Sequence, residues 1–155
     1  MEVPPERPLD CSRQPRHDAG GEVWLTRRAV FSASHRLWRE DWGAERNREA
    51  FGRSASPWPH GHNYELEVCI AGPIDPETGM LVDLKWLKGV IEREVEDRFD
   101  HRDLNQDTPF FGQVPPTAER LARVIYDLLE AALPAGLLRW VRLRPCGRIE
   151  VEVSG

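Results

Sequence analysis

The sequence predicts an α+β fold, a four-stranded antiparallel sheet carrying two helices on one face in the chain order β-β-α-α-β-β. Three observations predict it. Two stretches with two-residue periodicity come first, two stretches with apolar residues every three or four positions follow, and two short strand-like stretches end the chain. With 155 residues the chain has the length of one ordinary domain. No self-similar repeat of the solenoid kind is present.

Residues 1–21 hold Pro4, Pro5, Pro8 and Pro15 among charged residues and end in Gly20-Gly21. That mixture buries too little apolar area to offset its ordering entropy, so it reads as a flexible tail before a domain over 22–155. From Val23 the residues Val23, Leu25, Ala29, Phe31 and Ala33 share one parity, the period of a strand with one buried face, running up to His35. Residues 36–59 show no period but hold Trp38, Trp42, Phe51 and Trp58, which predicts a packed loop. His60 to Ile70 alternates again and is the clearest strand.

Gly72-Pro73, Asp75-Pro76 and Thr78-Gly79 mark turns, after which Met80 to Val82 read as a short extension. Asp83 then caps a helix whose stripe is Leu84, Leu87, Ile91, Val95 and Phe99. Thr117 caps a second helix with Leu121, Val124, Ile125, Leu128 and Leu129 on its buried side, ended by Pro134 and Gly136. Strands at Leu138 to Arg144 and Arg148 to Val153, joined by Pro145-Cys146-Gly147, complete the order.

Composition narrows the function classes. Lys plus Arg number 21 against 26 Asp plus Glu, a net charge of -5, which excludes a generic binder of nucleic acid or anionic membrane. Any anionic ligand then needs a metal or local positive charge. Cys11, Cys69 and Cys146 are odd in number and widely spaced, without the pairing of a disulfide framework, which suits a reducing cytoplasm. No apolar run is long enough to span a bilayer, and the N-terminus lacks the apolar core of a signal peptide.

His60 and His62 stand two apart on a strand, so their side chains leave the same face about 7 Å apart at Cα. His35 ends the preceding strand, and if the two strands are neighbours its ring arrives at the same sheet edge. Three neutral imidazoles leave one tetrahedral position open, the pattern of a catalytic zinc, and nitrogen ligands favour zinc over calcium or magnesium. Spacing alone is equally compatible with ordinary surface histidines. Asp100-His101 follows the first helix. It reads either as a carboxylate–imidazole pair for proton transfer or as a helix-terminal histidine favoured by the dipole.

Five segments in fixed order carry a resemblance: Phe31-Ser32-Ala33-Ser34-His35, His60-Gly61-His62-Asn63-Tyr64, Gly79-Met80-Leu81-Val82-Asp83-Leu84, Phe99-Asp100-His101-Arg102-Asp103-Leu104-Asn105, and Pro116-Thr117-Ala118-Glu119. Over roughly Val23 to Val153 they resemble the 6-pyruvoyl-tetrahydropterin synthase and 6-carboxy-tetrahydropterin synthase family. The resemblance implies the tunnelling fold (T-fold), a cytoplasmic homohexamer of two trimers, and a lyase. Its implied substrate is the small pterin 7,8-dihydroneopterin triphosphate, bound near a subunit boundary, with queuosine or another pterin-derived product downstream. It also implies a Zn2+ on His35, His60 and His62 acting as a Lewis acid, a relay of Asp100 and His101, and substrate contacts at Thr117 and Glu119.

Two positions depart from the family pattern. Where the family has a catalytic cysteine in a Gly-Lys-Cys-Asn-like stretch, this chain reads Gly52-Arg53-Ser54-Ala55, so Ser54 occupies the cysteine's place. An alcohol gives up its proton far less readily than a thiol. None of the three cysteines lies in this loop, and Glu45 or Glu49 are alternative bases. Where the family has a pterin-gripping Glu-Thr pair, the chain has Pro145-Cys146, and proline's side chain accepts no hydrogen bond; Glu150 or Glu152 could compensate. Triphosphate contacts fall to Arg36, Arg39, Arg53 or another subunit. The expected function is thus a zinc-dependent lyase. The alternatives are an impaired zinc- and pterin-binding scaffold, or a purely structural zinc.

Overall fold

The computed structural model describes residues 21–155. The tail expected over 1–21 lies, but for Gly21, outside the described residues. Strand β1, Val23–His35, pairs antiparallel with β2, His60–Gly72, over its whole length, from Val23 opposite Gly72 to His35 opposite His60. β2 in turn pairs antiparallel with a strand over Leu138–Cys146, which pairs with Ile149–Ser154. These are the two hairpins expected from the alternation.

The sheet has a fifth member, which corrects the expected four-stranded antiparallel arrangement. Strand β3, Arg102–Asp103, runs parallel to β1 beside Ala33 and Ser34, so with β4 (Leu138–Cys146) and β5 (Ile149–Ser154) the order is β3-β1-β2-β4-β5. The chain reaches that edge because His101 adopts φ 58°, a left-handed conformation that costs energy in a residue with a Cβ. The backbone then bonds to β1 through His101 N–H to the Ser32 carbonyl at 2.6 Å and Leu104 N–H to Ser34 at 2.8 Å. A two-residue strand has no period to read.

A second correction lies in the loop over 36–59, which contains helix α1, Ala44–Phe51, followed by a 3-10 turn over Gly52–Ala55. α1 is polar nearly all round, so it has no apolar stripe. Its anchor is Asn47, fully buried, which accepts from Arg39 N–H at 2.8 Å and donates to the carbonyls of Arg39, Trp42 and Gly43 at 2.9–3.2 Å. Of the aromatics expected to pack this segment, Trp42 stacks on Phe51 at 5.9 Å and Arg36 covers Trp38, but Trp58 is exposed.

Met80 to Val82 form a bend and not a strand extension. Helix α2, Leu84–Ile91, starts on Asp83, whose side chain accepts from Lys85 N–H at 2.8 Å. It widens into a π-turn over Glu92–Glu96 and ends in α3, Asp97–Phe99. Helix α4, Ala118–Ala132, is capped by Thr117 as its sequence predicts. None of the helices among the described residues is long and apolar enough to cross a membrane.

α2 and α4 lie on the sheet face that presents Phe31, Tyr64, Leu66, Ile70 and Leu143, and Leu87, Ile91, Leu121, Ile125 and Leu129 from the helices meet them fully buried. Each such side chain contributes about 1.5–3 kcal/mol of transfer free energy. The opposite face is charged. There Glu67, only 4 % exposed, lies among Arg28, Arg142 and Arg144, with N–O distances from 2.9 to 3.8 Å. Burial pushes its carboxyl up, but Arg144 and Arg28 overcome that and hold it below the ordinary range.

Candidate metal centre and active site

The register that aligns β1 with β2 brings the three histidines together. His35 stands directly opposite His60, and His62 is two pairs further along opposite Ala33, so all three side chains leave the helix-covered face at one end of the sheet. Nε2 of His35 lies 3.1 Å from Nε2 of His60 and 3.2 Å from Nε2 of His62. Ligands about 2.0–2.1 Å from a tetrahedral zinc stand roughly 3.3 Å apart; the two His35 separations match that spacing, and all three ligand atoms lie within 4.8 Å of one another, so the trio can close on one ion.

Their protonation suits the task. His35 Nδ1 donates to the Pro116 carbonyl at 2.7 Å, which leaves the Nε2 lone pair pointing at the other two rings. Burial lowers the His35 pKa to about 4, against the upward pull of that carbonyl, and the neighbouring His60 and His62 lower it further. His62 is lowered too, by burial first and then by His60, with the nearby Pro145 backbone pulling the other way. Neutral imidazoles at pH 7 are competent ligands.

The centre opens into a cavity of about 300 Å³. Ser54, Thr117, Glu119 and Pro145 line it with the three histidines, so the residues expected around the metal from the sequence do converge. Three elements place them: the 3-10 turn carries Ser54, the N-cap and first turn of α4 carry Thr117 and Glu119, and the end of β4 carries Pro145. The sequence reading missed the apolar lining residues Leu37 and Ile149 and one polar one. Cys146, exposed and unpaired, lines the same wall as Pro145, and its only sequence signal was adjacency to that departing position.

Other expected residues are not gathered here. Asp100 and His101 pair with each other, Oδ2 to Nδ1 at 2.9 Å, and Asp100 Oδ1 accepts from Ser32 N–H at 2.8 Å, a bond that heads the causes holding its carboxyl low. His101 is 84 % exposed and lines a second hollow of about 400 Å³, formed by Ser32, Ala33, Ser34, Gly61 and Asn63, which touches the metal centre only through His62. Glu45 and Glu49 are exposed on α1, away from the cavity. Glu150 and Glu152 are engaged by Arg144 and Arg142, each at 2.5 Å, so neither replaces the missing pterin carboxylate. Arg39 is taken by Asp41 at 2.7 Å, and Arg36 bonds to the Ser56 carbonyl and covers Trp38; Arg53 is exposed beside Ser54.

Comparison with known proteins agrees with this construction. The sequence model of the 6-pyruvoyl tetrahydropterin synthase family matches residues 24–147. The 6-pyruvoyl tetrahydrobiopterin synthase of Poecilia reticulata is 42 % identical over 132 residues, covering 85 % of this chain and 90 % of that protein. The Homo sapiens enzyme of the same description is 41 % identical over 122 residues, covering 79 % and 84 %. Among solved structures, the Caenorhabditis elegans 6-pyruvoyl tetrahydropterin synthase superposes with a TM-score of 0.82 at 32 % identity, covering 87 % of this chain and 96 % of that one. A match of that extent leaves only the segment before residue 24 and the last few residues outside, and with its histidine centre built as described, the chain belongs to the 6-pyruvoyl tetrahydropterin synthase family.

Proposed function

We propose that the protein is a zinc-dependent lyase acting on 7,8-dihydroneopterin triphosphate or a close pterin analogue, working as a cytoplasmic homo-oligomer over its domain at 22–155. The observation that carries this reading is the His35 Nε2 atom 3.1–3.2 Å from Nε2 of both His60 and His62, with all three ligand atoms within 4.8 Å of one another and His35 bonded to the Pro116 carbonyl, beside a ligand-sized cavity. A zinc ion there would polarise oxygens of the substrate side chain and acidify the neighbouring C–H.

The chain's own residues supply the rest. Thr117 and Glu119 contact the substrate from the start of α4, and Ser54 faces it from the 3-10 turn in the place the family gives to cysteine. Asp100 orients His101 through the 2.9 Å bond, and the ring, 84 % exposed in a different hollow of its own chain, serves the cavity of an adjoining copy. This makes the oligomer, a hexamer of two trimers by resemblance, a requirement of the chemistry.

The test is direct. Purified protein loaded with one zinc per chain is incubated with dihydroneopterin triphosphate, and release of inorganic triphosphate is measured. Turnover that disappears on chelation and returns with zinc supports the reading. Binding of substrate without any release supports instead an impaired scaffold, the reading that Ser54 and Pro145 favour.

A further inference from the structure

From sequence, none of the cysteines takes the place of the missing catalytic thiol, because all lie outside the loop that carries Ser54. The fold changes this for one of them. β4 and β5 pair Cys146 with Ile149, and the register shift between Leu143 and Cys146 turns the end of β4. Pro145 and Cys146 thereby line the cavity that Ser54 and the three histidines share. His62, a member of the metal centre, lines the same cavity as this turn. Cys146 is exposed, whereas Cys69 is buried in β2.

We propose that Cys146 is the proton-accepting residue of this site, the thiol having moved from the loop wall of the cavity to the β4–β5 wall. This rests on the lyase reading above. Three polar side chains besides the histidines and Thr117 line the cavity: Ser54, Glu119 and Cys146. An alcohol is too weak an acid to yield a working base at neutral pH. An ordinary carboxylate, with a pKa of about 4.3, is roughly four orders of magnitude less basic than a thiolate, whose conjugate acid has a pKa of about 8.5. In the step, the sulfur takes a proton from carbon, the C–H electron pair becomes a C=C π bond, and the adjacent carbon–oxygen bond breaks with its pair leaving on triphosphate. Atoms and electrons balance without a co-reactant.

Two measurements test it on the full-length protein. In the first, iodoacetamide labelling at pH 7 is resolved by residue with mass spectrometry. Cys146 is expected to react about a hundredfold faster than Cys69 and faster still with zinc loaded, since a nearby cation favours the thiolate. Labelling as slow as that of Cys69 overturns the proposal, and so does protection by zinc, which would mark a ligand. In the second, Cys146→Ala is expected to lower triphosphate release about a hundredfold with zinc content and circular dichroism unchanged. The double variant Cys146→Ala/Ser54→Cys is expected to recover at least a tenth of the wild-type rate. A Cys146→Ala protein that turns over normally, or a double variant that folds without recovery, overturns the assignment and leaves the lyase reading intact. A wild-type protein that releases no triphosphate removes both.

Discussion

Acidification should destabilise the metal-free protein through His35, and the size of the effect follows from its surroundings. The ring is 5 % exposed, and its pKa falls from 6.5 to about 4 on folding, chiefly through burial. A base whose folded pKa is depressed binds its proton better when unfolded. Its stabilising effect is therefore complete above pH 6.5 and is lost as pH falls from there toward 4. At pH 5 the unfolded state is favoured by about 2 kcal/mol relative to pH 8, which for a chain of this size lowers Tm by roughly 4–8 °C. Thermal unfolding of chelator-treated protein at both pH values measures this directly. His35→Asn keeps a polar ring-sized group but has nothing to protonate, and its own pH-dependent loss should be smaller by that 2 kcal/mol. Carboxylates such as Glu67 titrate identically in both proteins, so they cancel in the comparison. Equal pH dependence in the two would refute the reasoning.

Other perturbations have equally defined outcomes. His62→Ala removes one of three facing nitrogens, and zinc measured by elemental analysis should fall from one per chain to near none after dialysis against a weak chelator. Asn47→Ala deletes four hydrogen bonds inside the loop that carries Ser54; by urea titration it should cost about 2–3 kcal/mol, since the Arg39 N–H and the Trp42 carbonyl lose the side-chain partner while the Arg39 and Gly43 carbonyls keep only their backbone bonds. Tyr64→Phe should be neutral or stabilising by up to about 1 kcal/mol in the same assay, because the Tyr64 hydroxyl is buried with no partner among the described residues while its ring stacks on Phe31.

Much of this molecule could be read from the linear order of side chains. The β1 and β2 alternation put Phe31, Tyr64, Leu66 and Ile70 in the core, where they are found. Asp83 and Thr117 cap the helices they precede. The His-x-His pair and His35 were legible as a metal set because strand geometry makes their convergence a matter of parity and register. Helix α1 was not legible: a short polar helix is held by one buried amide, Asn47, and a single side chain leaves no period. Strand β3 was missed for the same reason, its two residues being placed by hydrogen bonds to Ser32 and Ser34.

By itself the sequence determined the four long strands and the two capped helices, their buried faces and the donor chemistry of three imidazoles, since period and residue type act within one element. What only the tertiary structure decided is which groups share the cavity. Packing of elements far apart in the chain brought Cys146 and Ser54 into one cavity and left His101 in a different hollow. Such meetings depend on register, bulges and turns between elements far apart in the chain, and no local pattern encodes them.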